Sequence, residues 1–120
     1  MSVFCHINVN IFQYQLTNAY STFAYVSQPA KVAPAGEAWA AYSNRNALFS
    51  GDGSHATDMG TYLTACTMLE SIWPDVSCVG NSYAPVSDAA NLQALAHETM
   101  ERGGWAWPEA GERPCSHCLP

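Results

Sequence analysis

Apolar residues recur along this chain at helical spacing in several blocks. Phe12, Leu16, Ala19, Tyr20, Phe23 and Val26 fall three or four positions apart, which predicts a helix burying one face over Phe12 to Val26. Gln28-Pro29 ends it, because the residue before a proline is pushed out of the α region. Lys31 to Pro34 reads as a short extended strand, followed by a turn at Ala35-Gly36 and a short helix over Glu37 to Asn44 with Ala38, Trp39 and Tyr42 on one side. Ser50-Gly51-Asp52-Gly53-Ser54 is a loop by composition. After it, Met59, Tyr62, Leu63, Cys66, Leu69, Ile72 and Trp73 trace a clear helical stripe. Thr57 is the expected N-cap, Asp58 favours the first turn and Pro74 stops the helix. Ser77 to Pro85 is irregular. Ser87 is then expected to cap a last helix whose Leu92, Leu95, Ala96 and Thr99 share a face, closed by Gly103-Gly104.

Helices alternating with a strand suggest an α/β fold, yet one strand does not make a sheet. At least three striped helices compete for very little β-structure. Either they pack on each other, or they pack on strands this chain does not contain. Residues 11–104 carry the domain, 1–10 stand apart, and 105–120 read as a flexible tail.

The 120 residues suit one small domain, and 48% hydrophobic against 12% charged residues argues for a packed core over a disordered chain. A net charge of -6 provides no cationic field for phosphate backbones or anionic lipid, so neither nucleic acid nor a membrane is an expected partner. The first residues lack a basic segment followed by an apolar run, which makes the chain cytoplasmic as written; export stays open if a native N-terminus with a signal peptide is missing. Five unevenly spaced cysteines in a chain this apolar are expected to be reduced thiols.

The stretch that bears chemistry is Asp52-Gly53-Ser54-His55. A histidine acting as general base presents one ring nitrogen to a nucleophile's proton while the other donates to a carboxylate, which fixes the tautomer and stabilises the imidazolium. An aspartate three residues earlier on a folded-back loop can make that second contact. The bland alternative is a surface turn capped by its own aspartate.

The wider block Leu48-Phe49-Ser50-Gly51-Asp52-Gly53-Ser54-His55-Ala56-Thr57-Asp58-Met59-Gly60-Thr61-Tyr62-Leu63-Thr64-Ala65-Cys66 resembles the closing block of the SGNH (GDSL-like) serine hydrolases. Val32-Ala33-Pro34-Ala35-Gly36-Glu37-Ala38-Trp39 and the helix from Pro85 to Met100 resemble, in order, segments of one branch of that family. The resemblance covers about Gln15 to Arg102. It implies part of a three-layer α/β/α (flavodoxin-like) fold, mostly helical in this truncated chain. It also implies hydrolysis of acyl esters, carbohydrate esters among them, with Asp52 as orienting acid and His55 as general base. No metal and no organic cofactor are implied. The departures are equally specific: the family's nucleophile lies in a Gly-Asp-Ser block that this sequence does not contain. Ser54 is adjacent to its supposed base and is a poor substitute, and Asn44 and Asn46 do not stand in the family's Gly-x-Asn-Asp setting. The expectation is a hydrolase portion inactive alone.

A second reading is a non-catalytic helical module that binds a partner or dimerises, and self-association through exposed apolar helix faces is expected of a portion lacking its sheet. Cys115-Ser116-His117-Cys118 is half a zinc or dithiol site. His97 and Cys78 could complete a set, though nothing in the spacing demands it. Cys5 and His6 read as incidental, His97 as solvated beside Glu98, and Cys66 as a small core hydrophobe. Trp39 and Trp73 are expected to face the core, while Trp105 and Trp107 sit in the tail.

Overall fold

The computed structural model describes residues 9–27, 30–81 and 85–103. Among these, four α-helices form a mostly helical globule: α1 (Val9–Val26), α2 (Ala35–Ala41), α3 (Asp58–Ile72) and α4 (Ala89–Arg102), with a 3-10 turn at Arg45–Leu48. No strand forms among the described residues. Residues 31–34 are irregular, since an isolated extended segment has no neighbour to take up its backbone hydrogen bonds. The β-pairing that does occur is a single antiparallel bridge between Phe49 and Ala56.

The core lies where α3 packs along α4 and α2 crosses both. Ala38, Leu48, Leu63, Cys66, Leu92 and Ala96 are completely or almost completely buried there. In α4 the expected face is the observed one, with Leu92, Ala96 and Thr99 buried and Leu95 packed against the core. Its cap differs from expectation. Asp88, not Ser87, precedes the helix, with a left-handed φ of 61° that aspartate tolerates better than most residues. The carboxylate is held by Tyr42 Oη at 2.7 Å and Asn91 Nδ2 at 2.6 Å, and this contact with Asp88 raises the Tyr42 pKa. Gly103 ends the helix at φ 63°, as expected of a C-terminal glycine.

The stripe of α1 turns outward, whereas that of α3 holds through Leu69, with Leu63 and Cys66 in the core and Met59, Tyr62 and Leu69 packed against it, and turns out only at its end. In α3, Leu63 and Cys66 are buried, but so are Gly60, Thr67, Glu70 and Ser71, while Ile72 and Trp73 are more than half exposed. Hydrogen bonds satisfy the polar groups buried there: Thr67 and Ser71 donate to the Leu63 and Thr67 carbonyls, and Glu70 is engaged by three groups. In α1, Gln13 lies against Gly36, Thr17 donates to Glu37, and Ser21 is buried with its hydroxyl unpaired. The stripe expected to be buried points outward, with Phe23 65% and Val26 70% exposed. Among the helices α1 touches α2 alone; Phe12 borders a cavity with Trp39 and Phe49, Leu16 and Tyr20 border one with Val32, and Phe23 and Val26 stay open.

Cys66 and Cys78 form a disulfide with a Cα–Cα distance of 5.7 Å, correcting the expectation of reduced thiols and of Cys66 as a mere hydrophobe. The pair ties the loop after α3 back to the middle of that helix. Cys5, His6, Gly104, Trp105, Trp107 and Cys115 to Cys118 lie outside the described residues. No described helix is long and apolar enough to cross a membrane.

The tightest approach in the core is at Gly60. A Cβ there would collide with the Leu48 carbonyl oxygen and sit 2.7 Å and 2.8 Å from two atoms of the Trp39 ring. Backbone cannot yield as a side chain can, so Gly60→Ala is expected to destabilise the protein by about 1–3 kcal/mol, the usual cost of overpacking. Gly51→Ala, where a Cβ meets nothing within 4 Å, should change stability by less than about 0.5 kcal/mol. Urea denaturation of both variants checks the contrast.

Candidate active site: the Asp52–His55 loop

The loop is held at its base before it presents any chemistry. Leu48 accepts from Thr57 N at 2.9 Å, Ser50 N donates to the His55 carbonyl at 2.7 Å, and the Thr57 hydroxyl donates to the Ala47 carbonyl at 2.6 Å. Thr57 is also the N-cap of α3, accepting from Gly60 N at 3.3 Å, as the sequence predicts. One residue thus joins the loop to the helix. Gly53 makes the reversal at φ 69°, a conformation that carries little penalty for glycine.

Within this clasp the Asp52 carboxylate gathers donors. Oδ1 accepts from the Ser50 hydroxyl at 2.5 Å, from Ser54 N at 2.9 Å and from His55 N at 3.0 Å, while Oδ2 meets His55 Nδ1 at 2.5 Å. The backbone bond from His55, then the Ser50 hydroxyl, the His55 ring and Ser54 N, hold the Asp52 carboxyl well below the usual carboxylate range. With Nδ1 bonded to an ionised carboxylate, the geometry favours the tautomer or imidazolium that donates from Nδ1. Nε2 has no hydrogen-bond partner among the described residues, and the His55 side chain is 81% exposed against 51% for Asp52. The pair is oriented but uncovered. Ser54 contributes its backbone N–H to Asp52.

No protein-family model matches this chain, and no curated protein or solved structure does.

Beside the loop, a cavity of about 320 Å³ opens between α1, α2 and the middle of α3, with Trp39 and Phe49 among its walls. These two rings meet edge-to-face with centroids 4.8 Å apart, and the Trp39 indole N–H donates to Thr64 Oγ1 at 2.9 Å. Trp39 is therefore half-buried and structural, whereas Trp73, expected in the core, is 56% exposed.

A second histidine–carboxylate pair was not legible as such. His97 Nδ1 meets Glu70 Oε2 at 2.9 Å and its Nε2 lies 3.4 Å from Glu101 Oε1, so the side chain, 42% exposed, is paired as well as partly solvated. Glu70 is 5% exposed, and its other oxygen accepts from Ser77 Oγ at 2.8 Å and Cys78 N at 3.3 Å. The hydrogen bond to Glu70 is the main reason the His97 pKa is raised. The available signal was Glu70 itself, seven residues after Leu63 on the face of α3 that packs inward. A carboxylate buried there demands a partner. No group of three or more described His, Cys, Asp or Glu side chains is arranged to hold a metal ion.

A carboxyl whose pKa is lowered by folding contributes stability above its unfolded value and loses that contribution as pH falls through the folded one. For Asp52 the window lies below the ordinary value of 3.8. The Asp52 carboxyl carbon resonance should therefore remain in its ionised position on acidification past that value in the folded protein, and titrate at the ordinary value in urea. An Asp52 resonance that titrates identically in both states would remove the oriented carboxylate from the account.

Proposed function

We propose that this chain supplies the acid–base half of an SGNH-type ester hydrolase, with the nucleophilic serine carried by polypeptide outside this sequence. The observation that supports it is the 2.5 Å contact between Asp52 Oδ2 and His55 Nδ1, with Nε2 directed to no protein group among the described residues. In this reading Nε2 takes the proton of an incoming serine hydroxyl as its oxygen attacks the ester carbonyl. It returns that proton to the departing alcohol, while Asp52 holds Nδ1–H and stabilises the imidazolium. Substrates are small acyl esters, acylated carbohydrates included, and the chemistry calls for no metal or cofactor. The helices would form one face of a three-layer α/β/α sandwich. The outward apolar stripes of α1 and of the end of α3 favour that arrangement, since a sheet is the surface such stripes cover.

The exposed α1 face also favours a second reading, a non-catalytic helical module that dimerises. One experiment separates the two. The chain alone should not react with a fluorophosphonate probe. Mixed with a polypeptide carrying the Gly-Asp-Ser portion of an SGNH hydrolase, it should restore labelling and ester turnover. His55→Ala should then reduce turnover by about a millionfold and the corresponding aspartate change, Asp52→Ala, by about ten-thousandfold, as in other serine triads. Failure to reconstitute, with a discrete dimer on size exclusion, would sink the hydrolase reading and support the module.

A further inference from the structure

The cavity beside Trp39 is apolar almost throughout, yet a permanent cation lines it. Phe12 on α1, Trp39 and Ala40 on α2 and Phe49 before the loop form its walls, with Gly36 in its lining and Arg45, first residue of the 3-10 turn, also lining it. Arg45 is half-buried and makes no hydrogen bond or ion pair among the described residues. A guanidinium cannot shed its charge. In a chain with ten acidic and only four basic residues, a partly buried arginine with no carboxylate partner among the described residues is conspicuous, because burying a charge unpaired is costly. No carboxylate shares the cavity lining with it.

Two other polar side chains of the lining are each engaged once within the protein. Thr64 Oγ1 accepts from the Trp39 indole, and Gln13 Nε2 donates to Thr17 Oγ1 at 3.2 Å. Arg45 brings the charged donors of the lining. At about 320 Å³ the space is roughly twice the engineered apolar cavity of about 150 Å³ that holds benzene, and it stands at the small end of ligand pockets. Aromatic walls, a cation with no partner among the described residues and room for about two rings define the complement.

We infer that this cavity binds a small carboxylate with a flat apolar body of one or two rings, its rings between Phe12, Trp39 and Phe49 and its carboxylate paired with Arg45. The pairing is a charge-assisted hydrogen bond of the forked kind arginine makes with carboxylates. The site uses neither Asp52 nor His55, and it stands whether or not those residues act in hydrolysis.

Naphthalene-2-carboxylate is the probe, titrated calorimetrically into the full chain, with naphthalene-2-carboxamide as the uncharged comparator. Saturable binding of one carboxylate per chain is expected, at least tenfold tighter than the amide, with a shift of the Trp39 indole N–H resonance. Arg45→Gln should erase the preference by weakening the carboxylate and leaving the amide unchanged. Ala40→Leu should weaken both, and His55→Ala should weaken neither. Circular dichroism verifies that each variant keeps its helices. No saturable binding, equal binding of the two probes, or a preference that survives Arg45→Gln would overturn the assignment.

Discussion

The close approach of α3 to the segment before it is the constraint on which the rest of this structure depends. With no side chain at Gly60, the Leu48 carbonyl and the Trp39 ring lie directly on the first turn of the helix. Leu48 then accepts from Thr57 N, and Thr57 caps α3 while holding Ala47. The loop carrying Asp52 and His55 leaves and re-enters the fold within this small clasp, so a core contact determines where an exposed pair of side chains stands. Trp39, fixed by the same contact, also forms a wall of the neighbouring cavity.

The two histidine–carboxylate pairs show how burial divides similar chemistry into different roles. Asp52 is satisfied entirely by its own loop, which lets the pair exist at the surface without help from the core. Glu70 has no such local supply. Buried on α3, it draws on Ser77, Cys78 and His97 from two separate places in the chain, and so fastens α4 and the loop after α3 to the same helix. The Cys66–Cys78 disulfide acts on the same loop. The first pair leaves a ring nitrogen available; the second has both of its ring nitrogens near carboxylates.

The inward faces of α1 and α3 are more polar than their outward neighbours suggest. Thr17 and Ser21, and on α3 Thr67, Glu70 and Ser71, turn in, while Phe23, Val26, Ile72 and Trp73 turn out. Polar side chains that turn in are tolerated where they find a partner, as Thr17 does in Glu37 and Glu70 in His97. Exposed apolar patches mark surfaces that take partners, and both proposed functions draw on these.

Local signals sufficed wherever a feature is built from neighbouring residues. The helical spacing, the Thr57 cap, the stop before Pro74, the glycine at the end of α4 and the Asp52–His55 contact all close within a few positions, so the sequence alone determined them. Which face of α1 turns inward, where the α3 stripe turns out, the partner of His97, the oxidation of Cys66 and Cys78, and the displacement of the α4 cap from Ser87 to Asp88 depend on groups distant in the chain. Tertiary packing decided these, because burial and hydrogen bonding reward whatever surface is present, and periodicity records only which surface would be preferred if it were.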